Sequence, residues 1–184
     1  MDFYLDIQVQ PDLDISAPAL MNNLFAKFHR SMAQALPGEI AVSFPKYHHS
    51  LGDILRLHGT EKSLNQLMSL PWLKGLRDYT EVSALREVPA DIKGYRSVYR
   101  VQKKSVNNRR KRSIAKGWLS EEEAIHRIPD EAQQTLKLPF LQFKSLSSQQ
   151  NMRIYVALGE LLSEPTKGPV NSYGLSRSAT VPWF

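Results

Sequence analysis

The residues of this 184-residue chain best suited to chemistry are one histidine and one long basic segment. His29 follows Phe25 by four residues, at the edge of an apolar helical stripe where its ring can emerge beside a core. A neutral imidazole can take a proton near neutral pH without the help of a metal ion. His29 is therefore a candidate general base. Its position alone equally suits an ordinary histidine at the boundary of a core.

The basic segment spans residues 100–116 and reads RVQKKSVNNRRKRSIAK, with eight Lys or Arg and no acidic residue. A wider window, 93–120, holds ten of the 24 basic residues and none of the 18 acidic ones. The remainder has 14 basic against 18 acidic residues, a balance of −4, so the net charge of +6 is concentrated in one place. Clustered Lys and Arg displace counterions from a phosphate backbone, which favours nucleic acid as the partner. A solvated basic surface or a localisation signal is the alternative interpretation.

The spacing inside the segment predicts a strand and a helix. Residues 95–102 alternate as a strand, which puts Arg100 and Gln102 on the same side. Arg suits the O6 and N7 edge of guanine and Gln the N6 and N7 edge of adenine, so this pair can contact two stacked bases. Residues 107–116 suit a helix that stops at Gly117. One face of it carries Arg109, Arg112 and Lys116 with Lys111 beside them, and a neighbouring stripe holds Val106, Arg110 and Ile114.

Several classes of chemistry are disfavoured. The chain has no cysteine, which excludes disulfides, thiolate catalysis and cysteine-based zinc sites. A metal site at His48, His49, Asp53 and His58 lacks an HExxH pattern, so we expect neither metal nor cofactor. The first residues carry acids and no basic region, and no apolar run reaches membrane-spanning length. We therefore expect a cytoplasmic protein that does not enter a membrane.

The secondary-structure elements that position these residues are predicted to form an α+β protein. Strands at 3–9, 40–44 and 54–58, a helix that starts at Ser16 and Pro18, a helix capped by Thr60, and a fourth strand within 72–83 give the order βαββαβ. That order predicts a ferredoxin-like domain over 1–84, an architecture that RNA-recognition modules often use. Residues 85–94, with Pro89 and Gly94, are predicted to be a linker into a smaller second region over 95–184, which carries the basic segment.

The second region is predicted to be less regular. Ser120 and Glu123 form a capping box that opens a helix ending near Pro129. Residues 140–144 and 153–158 are predicted to pair as strands around a polar loop. The terminal Trp183 and Phe184 should be anchored in a core.

Motifs along the whole chain resemble one known family. They are YLDI near the start, His29 late in the first helix, RVQ before the basic helix, LSEEEA, IPD, LPF, YGLS and VPWF. Together, in this order and spacing, they resemble the CRISPR-associated endoribonuclease of type I-F systems. No single motif is unique, but their joint occurrence is specific.

The resemblance implies an activity and a set of residues. Enzymes of this family cut precursor CRISPR RNA next to the repeat stem-loop by attack of a 2′-OH, without a metal. They leave a 2′,3′-cyclic phosphate, and the enzyme stays on its hairpin as a monomer within a guide-RNA surveillance complex of several subunits. The implied catalytic residues are His29, Ser145 and Tyr173. The implied RNA-binding residues are Arg100, Gln102, Lys103, Lys104, Asn108, Arg109, Arg110, Lys111, Arg112, Lys116, Met152 and Arg153.

The sequence also departs from the family pattern. Lys111 and Lys116 stand where arginines are usual, and lysine lacks the bidentate fork of arginine, so more phosphate contact and less base recognition is expected. Met152 stands where a relative presents an aromatic side chain. Ser147 and Ser148 lie close enough to Ser145 to take its role. Two alternatives stay open: a hairpin-binding subunit that does not cleave, and a DNA-binding module.

Overall fold

The computed structural model describes residues 1–102, 106–130, 136–144 and 149–184, and it shows a mixed α+β protein, as predicted. The chain forms two compact units, one of Met1–Arg100 with Leu138–Phe184 and one of Val101–Lys137. The predicted domain boundaries at 84 and 94 differ from this division into units and stay a prediction.

The first unit is built on an antiparallel sheet. Its strands are β1 (Phe3–Val9), β2 (Ala41–Ser43), β3 (Ile54–Gly59) and β4 (Thr80–Val82), in the order β2-β3-β1-β4. The central pair runs in register from Phe3 opposite Gly59 to Gln8 opposite Ile54. A short strand β5 (Arg86–Glu87) pairs with the start of β1, within the segment predicted as a linker.

Two helices cover this sheet. Helix α1 (Ala17–Ala35) has Ser16 at its N-cap and a proline in its first turn, and α2 (Glu61–Ser69) begins with a capping box between Thr60 and Ser63. The apolar stripe of α1 is buried against the sheet, with Leu24, Phe25, Phe28 and Met32 at 0% exposure. The order strand, helix, strand, strand, helix, strand is therefore the predicted one. Because period-3.6 stripes and local caps define these helices, the sequence located them well.

Two predicted strands are shorter or broken. The fourth strand predicted within residues 72–83 is the three-residue β4, and 3-10 turns at Pro71–Leu73 and Arg77–Tyr79 precede it. The turns bury Trp72, Leu73 and Leu76 in the core. An extended chain would instead point successive side chains to opposite faces of the sheet. Residues 95–102 were expected to form a single strand, yet β6 (Gly94–Arg96) and β7 (Val98–Val101) are separate because they join different sheets.

The remaining strands of the first unit complete two small sheets. Strands β8 (Phe140–Lys144) and β9 (Asn151–Leu158) form the predicted antiparallel pair, and β7 lies beside β9. Strand β10 (Val181–Trp183) pairs with β6. The Phe184 ring packs edge-on against Tyr4 at 4.9 Å and lies under the Arg56 guanidinium at 3.9 Å, so the terminal aromatics are anchored as predicted.

In its described residues, the second unit contains two helices. Helix α3 (Val106–Ala115) is the predicted basic helix, and α4 (Glu121–Arg127) opens with the predicted capping box between Ser120 and Glu123. Val106 and Ala124 are buried, whereas most of the charged side chains of α3 are exposed. In the described ranges, no helix combines the length and the apolar character that crossing a membrane requires.

Candidate active site and nucleic-acid interface

His29 is held in one orientation by a backbone carbonyl. Its Nδ1 lies 2.7 Å from the carbonyl oxygen of Ser172, which can only accept a hydrogen bond, so Nδ1 carries the proton. In the neutral imidazole the other nitrogen, Nε2, then holds a lone pair and can accept a proton. His29 is half-buried at the edge of the α1 stripe, as its spacing predicts. This is the arrangement that a general base requires.

Tyr173 fixes the plane of the same ring. The two rings stack at a centroid distance of 4.0 Å with an interplanar angle of 16°. Tyr173 in turn lies parallel to Phe25 at 6.4 Å, and Phe143 of β8 lies 6.3 Å from the His29 ring. The structure therefore brings His29 and Tyr173 together, as the resemblance implies, and adds an aromatic wall around them.

A tight turn over residues 171–175 presents both Ser172 and Tyr173. The side-chain oxygen of Asn171 accepts hydrogen bonds from the amides of Tyr173 at 2.9 Å and Leu175 at 3.2 Å. Gly174 has φ +72°, and a Cβ there would lie 2.8 Å from Val42 Cγ1, so the turn requires glycine. The Gly174 carbonyl accepts from the Val42 amide at 2.9 Å, which docks the turn on β2. Asn171 is a positioning residue that the sequence predictions missed, although an Asn three residues before a Gly is a recognisable turn signal.

Arg100 extends the same site. Its guanidinium carbon lies 5.5 Å from the centre of the Tyr173 ring, so the cation and the histidine share one tyrosine as neighbour. The Arg100 Nε is buried and, within the part of the chain that the structure describes, has no hydrogen-bond partner. Strand β7 is held beside the turn because the Ser176 amide donates to the Val98 carbonyl at 2.9 Å. A buried, unsatisfied donor suits an acceptor supplied by a ligand.

The β8–β9 pair carries two more predicted residues. Met152 is half-buried opposite Phe143, and Arg153 is exposed, donating to Gln142 at 2.9 Å with its guanidinium 5.0 Å from the Phe140 ring. Asn22 of α1 accepts from the Gln142 amide at 2.8 Å, which ties β8 to the helix that carries His29. Ser145, Ser147 and Ser148 lie outside the described residues.

The basic helix α3 presents a charged surface. The exposed cationic side chains are those of Arg109, Lys111, Arg112 and, just past the helix, Lys116. Asn108 is exposed beside them, and Gln102 is exposed before the helix. Lys103 and Lys104 lie outside the described residues. The predicted cationic face is therefore available to a polyanion.

Arg110 differs from these cations. Its Nε donates to the Ile128 carbonyl at 2.8 Å, and its Nη1 lies 2.9 Å from the Asp130 carboxylate. Its side chain is 15% exposed, so the guanidinium is largely enclosed between α3 and the end of α4. The geometry gives Arg110 a role in holding the two helices together.

The alternative metal residues do not converge. His48 and His49 are exposed and contact each other edge-on at 4.0 Å, whereas His58 is fully buried and bonded to Ser43 at 2.8 Å. Burial, aided by the nearby Arg56 charge, lowers the pKa of His58 to about 3. Asp53 binds Lys46 and Gln8. Across the described ranges, no three His, Asp or Glu side chains form a group that could hold a metal.

The fold and the site define a class of protein: an α+β protein with a histidine held by a backbone carbonyl through Nδ1 and with a basic helical unit. The sequence model of a family described as "CRISPR-associated protein (Cas_Csy4)" matches residues 4–184. The chain belongs to this family.

Two curated relatives match at full length. The "CRISPR-associated endonuclease Cas6/Csy4" of Escherichia coli (strain UTI89 / UPEC) is 50% identical over 185 residues, covering 100% of both chains. The protein of the same description from Pseudomonas aeruginosa (strain UCBPP-PA14) is 40% identical over 188 residues, again covering 100% of both. The predicted family and the prediction of an endonuclease are thus confirmed.

A solved structure described as "Structure A of CRISPR endoribonuclease Cse3 bound to 19 nt RNA" also matches, covering 100% of both chains. At 14% identity and a TM-score of 0.38, that likeness is too weak to support a conclusion about fold or function.

Proposed function

We propose that this protein is an RNA endonuclease that cleaves CRISPR repeat RNA beside a stem-loop without a metal ion. Its two full-length relatives bear the name of CRISPR-associated endonucleases, which supports the class of reaction. The proposed mechanism is supported by the 2.7 Å hydrogen bond from His29 Nδ1 to the Ser172 carbonyl, because this bond leaves Nε2 as the proton acceptor.

The proposed reaction uses the nucleophile that RNA carries itself. His29 Nε2 takes the proton of the 2′-OH next to the scissile phosphate. The 2′-oxygen then bonds to phosphorus while the bond from phosphorus to the 5′-oxygen breaks, and the leaving oxygen gains a proton from water. The products are a 2′,3′-cyclic phosphate and a 5′-OH end. Tyr173, stacked at 4.0 Å, keeps the imidazole in the plane that this transfer needs, and we assign Ser145 to orienting the 2′-OH or the phosphate.

Recognition of the stem-loop is assigned to the basic segment. We propose that Arg100 and Gln102 contact base edges and that the exposed cations of α3 contact phosphates. The buried Arg100 Nε without a partner in the described residues supports a ligand contact at that position. Because the phosphates of a stem remain after the strand beside it is cut, most of this binding energy should survive cleavage. We therefore propose that the protein keeps its product.

We extend the proposal to the domain organisation and to the assembly that the protein joins. The order β2-β3-β1-β4 supports a ferredoxin-like domain over 1–84, with a linker over 85–94 and an RNA-binding region over 95–184. We propose that one copy acts on one hairpin in the cytoplasm and joins other subunits of a guide-RNA complex. A hairpin-binding subunit that does not cleave is the alternative, and the experiment below separates the two.

The test is cleavage of a labelled repeat hairpin in EDTA, next to the same RNA with one 2′-deoxy sugar before the cut. We expect the first RNA to be cut and the second only bound. His29→Ala should abolish cleavage and leave hairpin affinity nearly unchanged, since the proposed base contacts only the reacting hydroxyl. His49→Ala, which removes an exposed loop histidine, is the matched control and should cleave normally.

Two results would contradict this proposal. Tight binding without cleavage of either RNA would support the non-catalytic subunit. Cleavage of the 2′-deoxy RNA would show that the nucleophile is not the RNA hydroxyl and would remove the proposed role of His29.

A further inference from the structure

We propose that Trp118 is a stacking platform for an unpaired nucleobase of the bound RNA, immediately after the basic helix. This inference rests on the proposed function, because it names one more contact to the same RNA. The base belongs either to the hairpin loop or to a single strand that flanks the stem. The two sources share one chemistry, a flat aromatic face attached to a phosphate.

The backbone of Trp118 is held in place on both sides. At the end of α3, the Gly117 amide donates to the Ile114 carbonyl at 2.9 Å and the Trp118 amide donates to the Ser113 carbonyl at 3.0 Å. Gly117 has φ +67°, so this is a Schellman motif with the glycine just past the helix. Two residues later, Ser120 caps α4 by accepting from the Glu123 amide. The indole is therefore attached to a short connection between two helices that is hydrogen-bonded at both ends.

The side chain itself is left in solvent. A Schellman motif usually packs its last residue on an apolar side chain one or two turns back, but here that position is Ser113 and the one before it is Arg112. Trp118 is 65% exposed, although tryptophan is highly buried on average. The other tryptophans of the chain are Trp72, which is 6% exposed, and the half-buried Trp183. An indole fixed at its backbone and exposed at its ring suits a binding role better than a structural one.

The charge around the ring favours a nucleotide. The Lys116 ammonium lies over one face of the Trp118 ring, 4.4 Å from its centre, so a base stacked on the other face would have a cation close to its phosphate. Arg109, Lys111 and Arg112 are exposed on the adjoining helix. Acidic residues begin only in the first turn of α4, so the phosphate is favoured on the α3 side. A protein partner would have to cover Lys111 and Lys116, and lysine is depleted at protein–protein interfaces.

The experiment measures binding of three RNAs, and the one that contains the cut site is made uncleavable by a 2′-deoxy sugar there. One carries its loop and flanks, one lacks the flanks, and one is a plain duplex stem without unpaired nucleotides. Trp118→Ala should weaken binding of an RNA with the stacked base by about 5- to 150-fold, the range expected for one base on one aromatic ring. Trp118→Phe should bind within a few-fold of wild type because it keeps an aromatic face. If Trp118→Ala weakens binding only of the RNA with flanks, the stacked base lies in a flank. If it also weakens binding of the RNA that has a loop but no flanks, the base lies in the loop.

Two controls make the assignment specific. Ile125→Ala removes another large exposed apolar side chain of the same unit, at 59% exposure, and should leave all three affinities unchanged. Fluorescence gives a direct signal, because the difference between wild type and Trp118→Phe on titration with RNA reports quenching of Trp118 alone. We expect strong quenching by the RNA that contains the stacked base and little by the plain stem.

The outcomes separate this inference from the proposed function. Equal affinities of wild type and Trp118→Ala for all three RNAs would overturn the stacking role while leaving RNA binding intact. An equal loss on all three, the plain stem included, would overturn it too, since the contact would then not involve an unpaired base. Failure of the wild type to bind any hairpin would overturn the proposed function together with this inference.

Discussion

Removing the Asn171 side-chain amide should slow cleavage without weakening RNA binding. In Asn171→Ala the turn that presents Ser172 and Tyr173 loses two hydrogen bonds, to the Tyr173 and Leu175 amides. Its backbone bonds remain, including the one from the Val42 amide to the Gly174 carbonyl, so the fold should survive. The effect should therefore be confined to how well the turn holds His29.

The size of the effect follows from the number of bonds. One neutral hydrogen bond contributes about 0.5–1.5 kcal/mol net, and water can partly replace bonds at an exposed residue such as Asn171. If the whole loss of about 1–2 kcal/mol for the two bonds raises the activation barrier of cleavage, the rate falls by roughly 5- to 30-fold. We expect a loss in this range for single-turnover cleavage at saturating enzyme. The hairpin affinity should change less than about twofold, because Asn171 contacts no proposed base-reading residue.

Asn171→Asp is the matched control, since its carboxylate can accept from the same two amides and should restore most of the rate. Asn65→Ala, which alters an exposed asparagine on α2, controls for surface changes. Proton NMR adds a structural measure: the His29 Nδ1 proton should be protected in wild type and exchange faster in Asn171→Ala. A wild-type rate in Asn171→Ala, or an Asp variant as slow as the Ala variant, would refute the role of the turn.

Two further predictions concern stability and binding. Burial holds the folded pKa of His58 at about 3, below the unfolded value of about 6.5, so the neutral imidazole's contribution is complete above pH 6.5 and is lost as the pH falls towards 3. As the pH falls between those limits, the free energy of unfolding should fall more steeply in wild type than in His58→Asn, by up to about 1.4 kcal/mol per pH unit. Urea titrations at pH 4–7 would measure both curves, and parallel curves would contradict the prediction. Arg110→Met should lower the melting temperature because it removes the bonds to Ile128 and Asp130, which follow α4. Arg109→Met should leave the melting temperature unchanged and reduce the salt dependence of RNA binding by about one unit of slope. The opposite pattern would mean that Arg110 contacts RNA and Arg109 does not.

Local sequence was sufficient for the helices and their ends. The apolar stripe from Leu20 to Met32, the Thr60 cap and the capping box at Ser120 each depend on residues close together in the sequence, and all three appear in the structure as predicted. Charge clustering likewise identified the basic helix, because exposed cations need no distant partner. The resemblance to a family then pointed to His29 and Tyr173 together.

Long-range pairing decided what local sequence could not. The strand predicted over 95–102 divides because its two halves pair with β10 and β9, which lie far along the chain. Arg110 and Arg109 are neighbours of the same type, yet one is enclosed by Ile128 and Asp130 and the other is exposed, since only the packing of α4 distinguishes the two sides of α3.

The same division applies to the candidate active site. The sequence by itself determined that an imidazole would lie at the edge of a buried helical stripe, because that follows from the 3.6-residue period. Only the tertiary structure decided which ring nitrogen holds the proton, because the partner is the carbonyl of Ser172, 143 residues away. A backbone carbonyl has no side chain to mark it in a sequence, so its alignment with His29 depends on the docking of the 171–175 turn against β2 and α1.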